Sequence, residues 1–273
     1  MSSQLVSQYY RADKLPHIWC PGCGHGIITR AVTQAIHNLS LDKDKVCIVS
    51  GIGCSSRAPG YMDFNTLHTT HGRALAFATG VKLARPELEV IVVTGDGDAA
   101  AIGGNHLIHA SRRNINITTV VYNNNIYGMT GGQYSPTTPK GDLGTTAPFG
   151  NIDKSFDIAN LAAAAGATYA ARATAYHVPQ LIKYIENGIK NKGFSLVEAI
   201  SSCPTYYGRK NKKGNVVDMM TELKNTAVDI KAAQKLTPEQ REGKFLIGEF
   251  KNVTEPEYTE EYQKIIDRFK KER

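Results

Sequence analysis

Two short polar segments, each following an apolar run, carry oxygen atoms of the kind that a divalent cation prefers. GDGD (95–98) follows the run EVIVVT, and NNNI (123–126) follows NITTVVY. A carboxylate at the start of a helix would repel a bare phosphate, whereas a hard cation such as Mg2+ held between the two would attract it. The carboxylate of Asp96, the amide oxygen of Asn124 and the backbone carbonyl of Ile126 are therefore candidate Mg2+ ligands. Each segment taken alone also fits a polar turn after a buried strand.

Four of the five cysteines lie in loop-like segments and form a second candidate site. Cys20 and Cys23 belong to a tight CPGC turn, and Cys54 and Cys203 each follow a strand-like run. Four thiolates suit a [4Fe–4S] cluster and suit a tetrahedral zinc ion equally well, because ligand type does not separate the two. The CxxC pair alone also fits a redox-active dithiol. Cys47 lies inside the run VCIVS and is expected to be a packed core residue.

Both sites need a framework that brings strand ends together, and the apolar pattern predicts one. Continuous β-branched runs predict strands at 46–50, 89–94, 116–122, 167–172 and 194–200. Helical patterns lie between them, at 71–84, 99–113, 157–165 and 177–192. Runs without alternation are typical of strands covered on both faces by crossover helices. The predicted fold class is α/β, with a doubly wound, mostly parallel sheet that binds ligands at the carboxyl ends of its strands.

The segments outside this framework give two further expectations. Residues 125–151 are rich in glycine and proline, and a loop of this length inside a compact domain is usually functional. After residue 204 the composition shifts towards lysine, asparagine and glutamate. We therefore expect an α/β domain over residues 1–204, and over residues 205–273 an extended arm with one or two helices that packs on a partner.

Length and charge exclude several classes of protein. The chain has 273 residues and a net charge of +7, and no apolar run approaches the roughly 20 residues that span a bilayer. The polar first eleven residues lack the apolar core of a signal peptide. These features, with cysteine usage typical of a reducing compartment, predict a cytoplasmic protein that does not bind membranes. Nucleic-acid binding through a four-cysteine knuckle is disfavoured, because the basic residues are not interleaved with aromatic ones.

The spacing of GDGD and NNNI resembles the thiamine diphosphate motif. The resemblance implies that Asp96, Asn124 and the Ile126 carbonyl bind the Mg2+ ion of this cofactor. It further implies that the diphosphate lies at the turn opened by Gly95 and meets the backbone N–H groups of Gly97, Asp98, Gly128 and Met129.

Eight sequence blocks in order resemble the beta subunit of the 2-oxoacid:ferredoxin oxidoreductases, most closely the 2-oxoglutarate type. They are WCPGCGHG (19–26), GIGCSSR (51–57), HTTHGRALAFATGVKLA (68–84), GDGDAAAIGGNH (95–106), NNNIYGMTGGQ (123–133), SPTTPKG (135–141), AAGATYAAR (164–172) and SSCPTYYGRKN (201–211). The resemblance implies that Cys20, Cys23, Cys54 and Cys203 bind one [4Fe–4S] cluster. It implies oxidative decarboxylation of 2-oxoglutarate with coenzyme A to succinyl-CoA and CO2, or the reverse reaction, with ferredoxin exchanging electrons. Two alternatives stay open: a subunit for pyruvate or for several 2-oxoacids, and a non-redox thiamine diphosphate decarboxylase.

The same resemblance implies which side chains line the cofactor pocket, namely Ile52, Gly53, Cys54, Ser55, His68, Thr69, Thr70 and His71. His71 is a candidate catalytic residue beside the diphosphate or a reaction intermediate, and its alternative role is packing at a loop-to-helix junction. Arg57 is a candidate for gripping a substrate carboxylate with two parallel hydrogen bonds. Some broad-specificity relatives carry a lysine where this chain has Gly131, so contacts of that lysine are not transferred.

One missing residue predicts a partner. Thiamine diphosphate enzymes need a glutamate at the aminopyrimidine ring, yet Glu87, Glu89 and Glu186 all lie in surface-like or helical settings. A complete site of this kind also lies between two α/β domains, and this chain has length for one. We therefore expect an alpha subunit to complete the active site, in an (αβ)2 assembly.

Overall fold

The β-branched runs form the centre of an eight-stranded sheet in the computed structural model, which describes residues 2–271. Across the sheet the strand order is β2-β1-β3-β4-β8-β7-β10-β9, and β5 and β6 form a separate hairpin. The first six strands in this order are parallel to their neighbours, and β10 runs antiparallel to β7. The strands are β1 (Val46–Ser50), β2 (Asn65–His68), β3 (Glu89–Gly95), β4 (Thr118–Asn123), β5 (Ile126–Tyr127), β6 (Gln133–Tyr134), β7 (Tyr169–Thr174), β8 (Ser195–Ile200), β9 (Ala227–Asp229) and β10 (Phe245–Asn252).

Helices cover both faces of this sheet, which confirms the predicted doubly wound α/β fold. One face packs against α2 and α7 through residues such as Val32 and Ile185. The other face packs against α4, α5 and α6 through residues such as Leu107 and Ile158. The helices are α1 (Ser2–Tyr9), α2 (His25–Asn38), α3 (Ala58–Tyr61), α4 (Ala74–Ala84), α5 (Gly104–Arg113), α6 (Ile158–Ala165), α7 (Val178–Lys190), α8 (Val216–Thr226), α9 (Ile230–Ala233), α10 (Pro238–Arg241) and α11 (Tyr258–Lys271).

The helix predicted at 99–113 is interrupted in the structure. A π-helical turn, Asp98–Ile102, comes first, and α5 follows only from Gly104. A Cβ atom added to Gly103 would lie 2.3 Å from the backbone oxygen of Asp98, so the glycine permits this tight turn. The helix predicted at 71–84 begins at Ala74 instead, which leaves His71 in a loop.

The segment after residue 204 is more regular than the expected arm with one or two helices. It contains a π-helical turn (Pro204–Gly208), four α-helices and two strands. β10 joins the main sheet by pairing with β7, with Gly248 opposite Arg172. The backbone of this segment therefore completes one edge of the sheet, while its packing on a partner stays a prediction.

Among the helices of residues 2–271, none combines the length and the apolar character that crossing a membrane requires.

Candidate functional site

The two predicted metal-ligand segments lie side by side in the structure. β3 and β4 are parallel neighbours, with Gly95 opposite Tyr122, so Asp96 and Asn124 leave the same edge of the sheet. Both side chains are buried, and Asp96 retains 3% and Asn124 4% of their accessible surface. They line one cavity together with Ile126, as the predicted Mg2+ site requires.

The carboxylate of Asp96 is held by two hydroxyl groups that come from the glycine-rich and proline-rich loop. Ser135 Oγ donates to Oδ2 over 2.5 Å, and Thr137 Oγ1 donates to the same oxygen over 2.6 Å. Burial raises the pKa of Asp96 in spite of these hydrogen bonds, because the loss of solvation disfavours the charged form more than the hydrogen bonds favour it. A buried carboxylate in this state fits a bound cation.

The cavity around Asp96 has a volume of about 80 Å3 and brings together most of the predicted cofactor residues. Ser55 adds a hydroxyl oxygen that is buried and has no hydrogen-bond partner, which marks a position where a ligand is able to bond. The predicted residues on its wall are Ile52, Gly53, Cys54, Ser55, His71, Gly95, Asp96, Gly97, Asp98, Asn124, Ile126, Gly128 and Met129.

Four predicted pocket or substrate residues lie outside this wall. His68 Nδ1 is 3.0 Å from Ser50 Oγ, and Thr69 Oγ1 donates to the backbone oxygen of Ser50 over 2.9 Å. These contacts fasten the end of β2 to the end of β1. Thr70 and Arg57 are exposed. From the sequence, all four residues were expected at or near the cofactor pocket. In the structure none of them lies on the cavity wall, and His68 and Thr69 instead bond to the neighbouring strand.

The four loop cysteines converge beside the same cavity. Burial raises the pKa of Cys23 to about 12, and repulsion from Cys203, Cys54 and Cys20 adds to this effect. Burial likewise raises the pKa of Cys54 to about 11, with further contributions from Cys203 and Cys20. The sulfurs are therefore near enough for their charges to interact.

Gly128 lies between the cysteines and the cavity. A Cβ atom added there would lie 3.3 Å from Cys54 Sγ and 3.8 Å from Cys203 Sγ, so the two sulfurs are within about 7 Å of each other. The neighbouring N–H group of Met129 donates to the Cys54 sulfur, and the N–H group of His25 donates to Cys23. The predicted diphosphate donor Met129 thus directs its N–H towards sulfur.

Two contacts that the sequence did not predict hold the cysteine loops in place. Trp19 Nε1 donates to the backbone oxygen of Cys54 over 2.7 Å. His25 Nδ1 lies 3.2 Å from Ser201 Oγ, which ties the CPGC turn to the segment after β8. Cys47 is 7% exposed and packs with Val49 in the core, which confirms its predicted role.

Comparisons with known proteins agree with this geometry. Residues 50–199 match the family model of the thiamine pyrophosphate enzyme C-terminal, TPP-binding domain. The chain is 53% identical to 2-oxoglutarate synthase subunit KorB of Methanothermobacter marburgensis, over 95% of this chain and 91% of that protein. It is 52% identical to the subunit of the same name from Methanocaldococcus jannaschii, over 97% and 98% of the two chains. The chain belongs to the 2-oxoacid:ferredoxin oxidoreductase beta subunits.

A solved structure extends the comparison to the fold of these beta subunits. The 2-oxoglutarate:ferredoxin oxidoreductase from Magnetococcus marinus, with 2-oxoglutarate, coenzyme A and succinyl-CoA bound, superposes with a TM-score of 0.86. Its chain is 36% identical to this one, and the match covers 97% of this chain and 90% of that chain. The fold predicted for this beta subunit is confirmed.

A second and larger cavity of about 480 Å3 lies on the other side of Asn123 in this beta subunit. Its buried cation, Arg172, pairs with Glu198 over 2.8 Å and also with Asp157. Asn123 Nδ2 donates to Glu198 over 2.7 Å. Burial favours the neutral form of Asp157, but the Arg172 charge and hydrogen bonds from Asn160 and Arg172 together hold the pKa of Asp157 below its usual range. The buried carboxylate of Glu198 therefore has a cationic partner within the chain.

The wall of the smaller cavity includes no glutamate within residues 2–271. Glu198 is committed to Arg172, Glu87 pairs with Arg85 on the surface, and Glu186 accepts from Asn38. None of these three carboxylates lies on the wall of the smaller cavity.

Proposed function

We propose that this chain is the beta subunit of a coenzyme A-dependent 2-oxoglutarate:ferredoxin oxidoreductase. In the proposed reaction, 2-oxoglutarate and coenzyme A yield succinyl-CoA, CO2 and one proton, while two ferredoxins each accept one electron; the same site would run the reverse reaction. Identities of 53% and 52% to two 2-oxoglutarate synthase subunits support this substrate over pyruvate.

The observation that carries the proposal is the contact between the two candidate sites. The cavity of Asp96 and Asn124 and the sulfurs of Cys54 and Cys203 meet at Gly128, where there is no side chain to separate them. A cofactor that removes electrons from carbon and a centre that passes on single electrons must lie close together. This arrangement distinguishes an oxidoreductase from a non-redox decarboxylase.

We assign the cofactor residues on the chemistry of their donor atoms. Asp96, Asn124 and the Ile126 carbonyl would bind Mg2+, because oxygen ligands suit this ion and the Asp96 carboxylate is buried without a cation. The backbone N–H groups of Asp98 and Gly128 would bind the diphosphate next to this ion. That of Gly97, also predicted as a diphosphate donor, bonds to the Asp96 carboxylate in this structure. When bound, thiamine diphosphate supplies the carbanion that adds to a keto carbon and the electron sink that permits loss of CO2.

We assign Cys20, Cys23, Cys54 and Cys203 to one [4Fe–4S] cluster, which when bound accepts electrons one at a time. A zinc ion with Zn–S bonds of about 2.3 Å would hold its four sulfurs within about 4 Å of one another. Within residues 2–271, no three histidine, cysteine, aspartate or glutamate side chains are grouped closely enough for a single ion. The wider spacing favours the larger cluster, and the N–H groups of Met129 and His25 would stabilise two of its thiolates.

Three other contributions of the chain follow from position. Ser135 and Thr137 fix one oxygen of Asp96 and would so orient the carboxylate for a bound cation. The buried ring of Tyr122 and the side chain of Ile126 keep water from the inner wall of the cavity. Arg57, three residues after Cys54, exposed and outside the cavity wall, would meet the distal carboxylate of a substrate that enters from solvent.

We infer that an alpha subunit supplies the missing glutamate and the remaining coenzyme A contacts, in an (αβ)2 assembly with ferredoxin as the electron partner. The 80 Å3 cavity is too small for a whole cofactor, which fits a site formed between two chains. The surface cations serve no nucleic acid or membrane in this proposal, and the enzyme is cytoplasmic.

The test is to co-purify the chain with its partner subunit under anaerobic conditions and to measure iron, sulfide and thiamine. We expect four irons and one thiamine diphosphate for each copy of this chain. Electron transfer to ferredoxin should require coenzyme A and should be faster with 2-oxoglutarate than with pyruvate. A colourless complex with zinc, or faster turnover of pyruvate, would contradict the proposal.

A further inference from the structure

A single buried carboxylate, that of Asp98, joins three segments of the candidate site. Its side chain is 3% exposed. Oδ1 accepts from the backbone N–H groups of Gly72 over 2.6 Å and Ile52 over 3.3 Å, and Oδ2 accepts from Thr94 Oγ1 over 2.7 Å. The loop after β1, the loop before α4 and the end of β3 are thus tied to one side chain.

Glycines allow these loops to approach the carboxylate. A Cβ atom added to Gly51 would lie 2.0 Å from Asp98 Oδ2, a distance that real Cβ atoms do not adopt. Gly72 has a φ angle of +69°, which glycine adopts readily, and a Cβ there would lie 2.4 Å from Ile102 Cγ2. The backbone at both positions therefore closes around Asp98 at a distance that a larger residue would prevent.

The fourth group on this carboxylate is the ring of His71. Its Nδ1 lies 2.5 Å from Asp98 Oδ1. An ionised carboxylate only accepts hydrogen bonds, so Nδ1 must carry the proton and Nε2 is the nitrogen left for a ligand. The ring lines the smaller cavity and is 36% exposed, with the edge of Tyr127 at a centroid distance of 6.1 Å.

We propose that Asp98 is a positioning residue that fixes His71 through Nδ1, so that the ring, when it also carries a proton on Nε2, donates from Nε2 to an anionic oxygen in this cavity. The proposal rests on the proposed function, which brings two such anions to the site: the cofactor diphosphate and the substrate carboxylate. In the sequence, Asp98 was expected to act only through its backbone N–H group, and the side chain adds a second role at the same position.

The test is a double-mutant cycle on the complex with its partner subunit, using Asp98→Asn, His71→Gln and the double variant. Asn keeps an oxygen that accepts from Gly72 and Ile52, and it removes the charge that orients the imidazole. Calorimetry on cofactor-depleted complex, with Mg2+ present, gives the Kd of thiamine diphosphate and of inorganic pyrophosphate. The KM for 2-oxoglutarate is measured at saturating cofactor.

We expect each single change to weaken binding of one anion by about 10- to 100-fold, because a charge-assisted hydrogen bond is lost. The double variant should be no weaker than His71→Gln, because Asp98 acts through His71. Weaker binding of pyrophosphate and cofactor identifies the diphosphate as the anion. A raised KM for 2-oxoglutarate with unchanged cofactor affinity identifies the substrate carboxylate. Asp63→Asn is the matched control, since it removes an aspartate charge at a site paired with Lys43 and outside the cavity wall.

Additive losses in the double variant would overturn the proposal, because Asp98 would then only hold the loops. Unchanged binding of both anions in His71→Gln would also overturn it.

A further measurement serves if Asp98→Asn does not fold: 15N NMR of histidine-labelled wild-type complex, with the His71 signal assigned by its absence in His71→Gln. We expect proton occupancy at Nδ1, and a neutral ring protonated only at Nε2 would contradict the proposal. Because cofactor binding is measured without turnover, a wild-type complex that binds the cofactor but converts no 2-oxoacid would refute the proposed function alone.

Discussion

Of the two cavities of this chain, the smaller one and not the larger one has the features of a ligand site. The larger one, about 480 Å3, contains Arg172 between Glu198 and Asp157, so that its buried carboxylate, that of Glu198, has a cationic partner within the chain. The smaller one, about 80 Å3, contains Asp96 with hydroxyl partners and no cation, and a Ser55 hydroxyl with no partner. A buried carboxylate without a cationic partner fits a bound ligand, whereas one that is paired with a cation needs none. Under the proposed function, this difference, and not volume, marks the smaller cavity as the cofactor site.

The largest effect that would sharpen this comparison concerns the cysteines beside the smaller cavity. Cys203→Ser should abolish the cluster, because a serine hydroxyl does not replace a thiolate ligand. Cys47→Ser is the matched control, since Cys47 packs in the core of the sheet and its substitution should leave the iron content unchanged. Iron and sulfide analysis of the purified complex measures both. Full iron in Cys203→Ser would mean that the ligand set is wrong.

The next effect concerns the uncompensated carboxylate. Asp96→Ala should weaken binding of thiamine diphosphate with Mg2+ by more than about 100-fold, because a direct metal ligand is lost. The melting temperature should not fall, because the substitution also removes a buried charge that no cation of the chain pairs with. Equilibrium dialysis and thermal unfolding test the two parts. A folded variant that binds the cofactor as tightly as the wild type would remove the Mg2+ assignment.

For the larger cavity we expect the opposite result, a loss of stability with little change in cofactor affinity. Arg172→Met leaves Glu198 buried without its cation, and we expect a loss of about 3–5 kcal/mol of stability. In the complex this appears as a lower midpoint of urea unfolding, while cofactor affinity in the folded state changes little.

Arg85→Met is the control for Arg172→Met, because it breaks an ion pair with Glu87 that is exposed, and such pairs contribute little to stability. A loss of cofactor affinity in Arg172→Met as large as that in Asp96→Ala would break the distinction between the two cavities.

The smallest effect concerns substrate choice at the rim of the functional cavity. 2-Oxoglutarate has a second carboxylate that pyruvate lacks, and Arg57 is the cation near the Cys54 loop. Arg57→Ala should lower kcat/KM for 2-oxoglutarate by about 10- to 100-fold more than for pyruvate, as one charge-assisted contact is lost. An equal fall on both substrates would place Arg57 at a carboxylate or a coenzyme A group that both reactions share.

The sequence was sufficient for features that depend on neighbouring residues. Val46–Ser50 was predicted with its observed limits, because a β-branched run carries its own signal. The helix ending before Gly166 was also predicted, and Gly166 has the left-handed φ of 116° that a C-cap uses. Parallel strands then place Asp96 and Asn124 at one edge, which is why the candidate metal ligands could be named from spacing.

The sequence was insufficient for features that join distant segments. Ser135 bonds Asp96 across 39 residues, and His71 bonds Asp98 across 27 residues, and no local pattern announces either pair. The second aspartate of GDGD was a signal for a side-chain role, since a backbone N–H donor needs no carboxylate. The strand Phe245–Asn252 was missed because it is partly exposed and carries a weaker apolar pattern than the central strands.

The pairing of β10 with β7 also affects how the chain leaves the ribosome. β7 is synthesised more than seventy residues before β10, and until β10 arrives its outer edge presents unpaired N–H and C=O groups. Open edges of this kind pair readily with strands of other molecules. Until β10 is synthesised, Arg172 also lacks one acceptor, because its guanidinium donates to the backbone oxygen of Leu246. A nascent chain that stalls before Phe245 therefore exposes an unpaired strand edge beside a guanidinium that lacks one of its acceptors. Chains with such an edge are targets for chaperones.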